Sequence, residues 1–181
     1  MTINEQAVEQ TRKWISEVVI GCNFCPFAAR EFQRNSIRYT VPANQETEAI
    51  LHTILEECTY LDENPGIETT LVIVPEALED FRKYLDVLFL AEDAMAGAGY
   101  EGVYQLASFH PDYRFEGAPT DDPANYTNRS PYPVFHLLRE DSVEKALEFY
   151  KGNPDEIPEK NIEFARTKGL AYMKMLLESC R

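Results

Sequence analysis

Apolar residues recur at helical spacing at several places along the chain. The first such stripe predicts a helix over residues 4–20, ended by Gly21. Pro26 suits the first position of a short helix that follows, with Cys25 as its cap. Later stripes predict a helix capped by Asn44, a long one over residues 78–95, one from an Asp141 capping box to about residue 150, and a last one over residues 162–177.

Four short segments have the pattern of strands. Residues 36–41 alternate between apolar and polar positions, whereas residues 69–74 form a continuous β-branched and apolar run typical of a central strand buried on both faces. Residues 102–109 and 133–138 complete the set. The order predicts a single α/β (or α+β) domain over residues 1–181, with one sheet of about four strands, parallel β-α-β crossovers and covering helices. The fourth strand can run antiparallel, and a ferredoxin-like split sheet is the alternative.

Composition narrows the classes of partner. With 31 acidic and 17 basic side chains in 181 residues, the formal charge is −14, which disfavours binding to nucleic acid or to an anionic membrane surface. The N-terminus lacks a secretion signal, and no apolar run approaches the ~18 residues that span a bilayer. The four cysteines do not suggest a disulfide framework. We therefore expect a soluble, cytosolic protein.

The segment 109–132 is the most unusual part of the sequence, because it is long, lacks periodicity and is braced by proline. Loops at the carboxyl ends of strands build the ligand sites of open α/β sheets, so this segment is predicted to form one wall of a pocket. Arg129 can grip a carboxylate or phosphate through two hydrogen bonds, unless it pairs with Asp121 or Asp122. The other candidate binding residues are Asp112, Tyr113, Asn125, Asn128, Ser130 and Arg139.

Three residues are candidates for catalysis. Cys25 at a helix N-terminus could have a lowered pKa and act as a nucleophile, with His110 or His136 as base; the alternative is a buried cysteine that packs as a small apolar residue. Cys22 and Cys25 have a redox or zinc spacing, but no second pair exists. His110, Asp112 and His136 also match the ligand set of a two-histidine, one-carboxylate iron site, although Asp112 could simply form a turn and His136 could be a core histidine.

Several motifs resemble a known family. GCNFCPFA, QLASFHPDYRFEG, DDPANYTNRSPYP and HLLREDSVEKA together are similar to a bacterial family of about this length that is known only as a domain of unknown function. The resemblance covers nearly the whole chain. In that family only the equivalent of Cys25 is usual, which implies that Cys22 is dispensable. The resemblance supplies no reaction.

The functional hypothesis is a small enzyme that acts on a small anionic metabolite, with no cofactor identified. The alternatives are a non-catalytic domain that binds an anion or a protein partner, and a metal-dependent enzyme that uses His110, Asp112 and His136. Under the first hypothesis, Arg129→Ala and His110→Ala are expected to remove ligand binding without changing the melting temperature.

Overall fold

The computed structural model describes all 181 residues and contains one open four-stranded sheet. The strands are β1 (Ile37–Thr40), β2 (Thr69–Ile73), β3 (Tyr104–Phe109) and β4 (Val134–Arg139), in the order β1-β2-β4-β3. β1 and β2 are parallel, and β4 runs antiparallel to both of its neighbours. The predicted mixed α/β sheet of four strands is confirmed, and β4 takes the antiparallel direction that the sequence left open.

The sheet combines two kinds of β-α-β unit. β1 and β2 lie side by side, as in an ordinary parallel crossover, whereas β4 is inserted between the parallel strands β2 and β3. The second half of the chain therefore has the split arrangement of the ferredoxin-like alternative, while the first half does not. As a result, the last strand in the sequence occupies an interior position of the sheet.

Helices cover the sheet on both faces. The helices are α1 (Ile3–Trp14), α2 (Ala28–Gln33), α3 (Thr47–Glu63), α4 (Phe81–Gly97), α5 (Glu140–Glu148), α6 (Ile157–Lys168) and α7 (Leu170–Glu178). α3 and α4 pack with Val72, Phe135 and Leu137 in one buried cluster, and α1, α6 and α7 pack with Leu71, Ile73 and Val134 in another. All five residues of β2 are buried, because this strand contributes side chains to both clusters. The domain is therefore a three-layer sandwich of helix, sheet and helix.

Several helix boundaries differ from those predicted. α1 changes at Ile15–Ile20 into a π-helical segment before Gly21, where a Cβ atom would lie 2.1 Å from the carbonyl oxygen of Glu17, so that glycine is required. The last helix is divided at Gly169, whose φ of +84° interrupts the helical backbone. No helix has both the length and the apolar character needed to cross a membrane.

The predicted caps were also wrong. Cys25 precedes a turn, and the residue before α2 is Phe27. Asn44 accepts a hydrogen bond from the backbone of Glu46 but lies before the N-cap of α3. No capping box opens α5, because β4 runs directly into this helix and Arg139 occupies the N-cap position. The local sequence favoured polar caps, but the chain direction at these points is set by packing elsewhere.

Candidate functional site

The connection between β3 and β4 folds around buried polar side chains. Asn125 is fully buried; its Oδ1 accepts a hydrogen bond from the Phe115 backbone at 3.1 Å, and its Nδ2 donates to the Pro119 carbonyl at 2.8 Å. Asn128 donates to the Ser108 carbonyl, and the buried Ser130 donates to that of Tyr132. A 3₁₀ turn, Pro123–Thr127, lies in the middle. These amides and this hydroxyl therefore bond the segment to itself and to β3.

His110 is fully buried and makes a hydrogen bond through each ring nitrogen. Nδ1 accepts the backbone N–H of Asp112 at 2.9 Å, which requires the proton to be on Nε2, and Nε2 donates to the carbonyl of Leu78 at 2.8 Å. Burial lowers the pKa of His110, so the ring is neutral at pH 7. The ring lies against Phe81 and Tyr84 of α4. His110 thus joins the connection to the segment before α4.

Arg129 is 7% exposed and is held from two sides. Its Nε donates to the carbonyl of Tyr113 at 3.0 Å, and its Nη2 donates to that of Thr120 at 2.9 Å. The guanidinium lies over the ring of Tyr126, with 4.5 Å between its Cζ and the ring centroid. The remaining amino group, Nη1, donates to no protein acceptor and is not sealed inside the protein. Arg129 is therefore a fixed cation with unused hydrogen-bonding capacity.

Arg129 forms part of the wall of an open cleft of about 340 Å³ between the connection and α7. One wall comes from the connection and the other from the last helix and the C-terminal residue. The lining residues are Pro111, Asp112, Thr120, Asp121, Tyr126, Arg129, Leu170, Lys174, Leu177, Glu178 and Arg181. The cleft therefore brings together two of the predicted binding residues, Asp112 and Arg129, with residues more than 40 positions away in the sequence.

The charged groups of the cleft form no ion pairs with one another. Arg129 pairs with neither Asp121 nor Asp122; Asp122 instead accepts two hydrogen bonds from Arg166 of α6, the shorter at 2.8 Å. The pKa of Asp122 is lowered chiefly by this hydrogen bond from Arg166. The alternative that Arg129 only ties the connection down through an aspartate is therefore not observed.

The two candidate histidines lie on opposite faces of the sheet. Ala107 pairs with His136 in the β3–β4 register, whereas His110 packs against α4 on the other face. The ring of His136 instead contacts Phe109. No group of three histidine, cysteine or acidic side chains has a geometry that could hold a metal ion. The structure thus does not bring together the proposed iron ligands His110, Asp112 and His136.

His136 has a single protein hydrogen-bond partner. The Thr69 hydroxyl donates its only proton to the carbonyl of Leu137, so it must accept a hydrogen bond from Nε2 of His136, 2.7 Å away. Removal from water lowers the pKa of His136 to about 4. At neutral pH the ring is therefore uncharged, with its proton on Nε2.

The pKa of His136 predicts a loss of stability in mild acid. The unfolded chain, with a histidine pKa near ~6.5, takes up a proton before the folded chain does, so stability falls as the pH drops below 6.5 and stops falling below about 4. Between pH 7 and pH 5 the wild type should lose about 2 kcal/mol more than His136→Leu. Urea denaturation at several pH values measures this difference. His52→Gln, at an exposed position, should follow the wild type, and equal losses in all three proteins would contradict the prediction.

Cys25 does not line the cleft. It lies in the turn before α2, where Phe24 packs against Phe164 of α6 and Phe27 against Tyr150. Burial raises the pKa of the Cys25 thiol, and this outweighs the lowering by the backbone N–H groups of Phe27 and Ala28. The expected lowered pKa is therefore wrong. Cys22 and Cys25 are both free thiols.

Arg139 lies at the opposite end of β4 from the cleft. Its guanidinium donates to the carbonyls of Leu61, Asn64 and Ile67 at the C-terminal end of α3 and to the Tyr104 hydroxyl. It is therefore not a second positive group for a ligand held by Arg129. Tyr113 also differs from the expected role, since it contributes its carbonyl to Arg129 while its ring packs on Phe81 and Phe115.

Sequence reasoning did not identify the α7 side of the cleft. Leu170 and Leu177 follow the apolar stripe of the helix predicted over residues 162–177, a pattern typical of core positions, while Lys174 and Arg181 have the spacing of ordinary solvent-facing positions. The one available signal was the cationic pair near the end of an acidic chain. Its position opposite residues 111–129 depends on the bend at Gly169, which the periodicity does not reveal.

The comparisons with known proteins give a family but no activity. A family described as "Protein of unknown function (DUF1415)" matches residues 6–175. No curated protein and no solved structure matches the chain. The match agrees with the resemblance to a domain of unknown function.

Proposed function

We propose that this chain, which belongs to the family of proteins of unknown function DUF1415, binds a small anionic ligand in the cleft that Arg129 lines. The family supplies no activity, so the proposal comes from the geometry of the chain itself. The observation that carries the proposal is the state of Arg129: the side chain is almost fully buried, held at Nε and Nη2, and leaves Nη1 unpartnered beside the cleft. A desolvated guanidinium that is fixed in place gives a stronger and more selective hydrogen bond to a carboxylate or phosphate than a mobile surface cation does.

The negative charge of the whole chain means that an anion can bind only at a local cluster of cations and is not attracted to the protein in general. A protein with a formal charge of −14 repels anions at long range, so an anion gains affinity only where cations converge. Lys174 and Arg181 lie on the α7 side of the same cleft and make no ion pair with an acidic side chain. The three cations therefore have no competing carboxylate, with Arg129 as the fixed one and Arg181 donating one hydrogen bond to the Pro131 carbonyl.

The hypothesis that the protein is an enzyme acting on such an anion stays a prediction, because the candidate catalytic residues do not line this cleft. Both nitrogens of His110 are engaged with the backbone, His136 is on the other face of the sheet, and Cys25 is not a lining residue. The proposal is accordingly restricted to binding. The predicted protein partner of the second alternative has no separate support.

The proposal predicts that small anions perturb Arg129 directly. Titration of ¹⁵N-arginine-labelled protein with acetate or phosphate should shift the Nε–H resonance of Arg129 in a saturable way, with a dissociation constant on the order of millimolar for such small probes. Arg129→Lys should lose this binding at least about tenfold, since lysine cannot reproduce the planar fork; in this variant the Nε–H resonance of Arg181, in the same cleft, reports the titration.

The matched control is Arg82→Lys, at an exposed position in the first turn of α4. This variant should bind both anions as the wild type does. Circular dichroism establishes that each variant is folded. Equal binding by Arg129→Lys and wild type, or a linear response of Arg129 to both anions, would show that the cleft is not an anion site.

A further inference from the structure

The acidic residues of the cleft are arranged around Arg129 in a specific way. The two carbonyl groups that hold the guanidinium belong to Tyr113 and Thr120. Asp112 directly precedes the first of these residues, and Asp121 directly follows the second. Both aspartates line the cleft, as does Glu178 on the α7 side. Each residue that holds the guanidinium is thus adjacent in the chain to an aspartate that lines the cleft, and a third acid lines the α7 side.

These carboxylates are not neutralised by the protein. No ion pair joins Asp112, Asp121 or Glu178 to Arg129, Lys174 or Arg181, and none of the three acids accepts a side-chain hydrogen bond from a basic residue. The main chain at Asp112 is fixed, because its N–H donates to Nδ1 of the buried His110. Asp112 and Arg129 are therefore positioned near each other with their charges separated instead of paired.

From this arrangement we propose that the ligand of the cleft is a zwitterion of the α-amino acid type, with its carboxylate on Arg129 and its ammonium group on Asp112 and Asp121. This inference rests on the proposed binding of an anion by Arg129. Three cationic and three anionic side chains line the cleft, so their formal charges cancel, which complements a ligand with separated charges and no net charge. A phosphate dianion would meet three carboxylates at the same site.

The remaining wall suits a short aliphatic side chain. Leu170 and Leu177 of α7 and Pro111 of the connection are the apolar lining residues, and they lie in the same cleft as the charged groups. A volume of about 340 Å³ accommodates a single amino acid. L-Leucine is therefore the probe that uses both the charged and the apolar parts of the cleft.

Isothermal titration calorimetry with four matched probes tests the inference. The probes are L-leucine, 4-methylpentanoate, which lacks the ammonium group, 3-methylbutylamine, which lacks the carboxylate, and inorganic phosphate. L-Leucine should bind at least about tenfold more tightly than each of the other three, because the two organic analogues each lose a charged hydrogen bond at one end and phosphate meets the three carboxylates. Asp112→Asn should weaken L-leucine about tenfold and leave 4-methylpentanoate unchanged or tighter.

The outcomes separate this inference from the proposed function. If 4-methylpentanoate or phosphate binds as tightly as L-leucine and depends on Arg129, the zwitterion is wrong and anion binding stands. If none of the four probes binds, both are wrong. Asp86→Asn, at an exposed position of α4 outside the cleft, should bind L-leucine as the wild type does. An equal loss in Asp86→Asn and Asp112→Asn would assign the effect to overall charge and overturn the role of Asp112.

Discussion

His110→Ala should lower the free energy of unfolding by about 3 to 4 kcal/mol, the largest effect expected of any single substitution near the cleft. The alanine leaves a cavity where a fully buried ring contacted Phe81 and Tyr84. It also leaves the Leu78 carbonyl and the Asp112 N–H without their partners. The expectation from sequence, that this variant keeps its melting temperature, is therefore corrected by the burial of the ring.

The backbone of Leu78 is strained, and release of that strain offsets part of the cost of this substitution. Its φ of +61° is in the left-handed region, which a leucine adopts only when its surroundings hold it there. The hydrogen bond from Nε2 of His110 supplies part of that constraint. Without it, the segment before α4 can relax to an ordinary conformation, and the packing of Phe81 on the ring position is lost as well.

Urea denaturation of the wild type and three variants measures this effect. His110→Gln can place an amide donor near the Leu78 carbonyl, so it should lose clearly less stability than His110→Ala. His52→Ala, with a side chain 71% exposed, should stay within about 0.5 kcal/mol of the wild type. A loss below about 1 kcal/mol in His110→Ala would mean that the ring does not hold the two segments together.

Arg139→Met should be the second most destabilising of these substitutions, with a loss of about 3 kcal/mol. The guanidinium serves three backbone carbonyls at the end of α3, among them that of Leu61 at 2.6 Å, and it also donates to the Tyr104 hydroxyl. Its positive charge also lies at the negative end of the helix dipole. Methionine has a similar length and fills the space, but it removes all of these hydrogen bonds: the Ile67 carbonyl loses its donor, and those of Leu61 and Asn64 keep only the backbone N–H groups of Asn64 and Ile67.

Arg139→Lys distinguishes the contribution of the positive charge to stability from that of the hydrogen bonds. Lysine keeps a cation at the end of α3 but cannot reach three carbonyls from one plane, so an intermediate loss of about 1 to 2 kcal/mol is expected. Anion binding at Arg129 should be unchanged in both variants, because Arg139 is at the other end of β4. Chemical denaturation and the acetate titration provide the two measurements. Full stability of Arg139→Met would refute a structural role.

The sheet could be predicted because its signals are local. The continuous β-branched and apolar run at Thr69–Ile73 indicates a strand buried on both faces, and the observed strand satisfies that requirement with side chains in both clusters. The caps could not be predicted in the same way. Asp141 has a suitable local pattern for a cap. However, Arg139 is held by hydrogen bonds to carbonyls at the end of α3, and α5 begins directly after Arg139, so long-range hydrogen bonds decide where α5 starts.

The candidate site was predictable in its residue types and not in its geometry. The polar density of residues 110–130 indicated that the segment folds into one shape, but most of its amides serve the backbone. Whether His110 and His136 meet depends on the register of β3 against β4, because a shift of one residue reverses the face of every side chain. The partner of Asp122 is Arg166, 44 positions away, and nothing in the sequence around Asp122 indicates this pairing.

The interior position of β4 has a consequence for synthesis on the ribosome. β2 and β3 are both complete by residue 109, yet neither pairs with the other, because residues 134–139 must come between them. While the intervening residues are being translated, each strand presents an unpaired hydrogen-bonding edge, and Leu71 and Ile73 of β2 lack the cover that Val134 later helps to provide. The nascent chain is thus most prone to aggregation just before its fourth strand emerges from the exit tunnel.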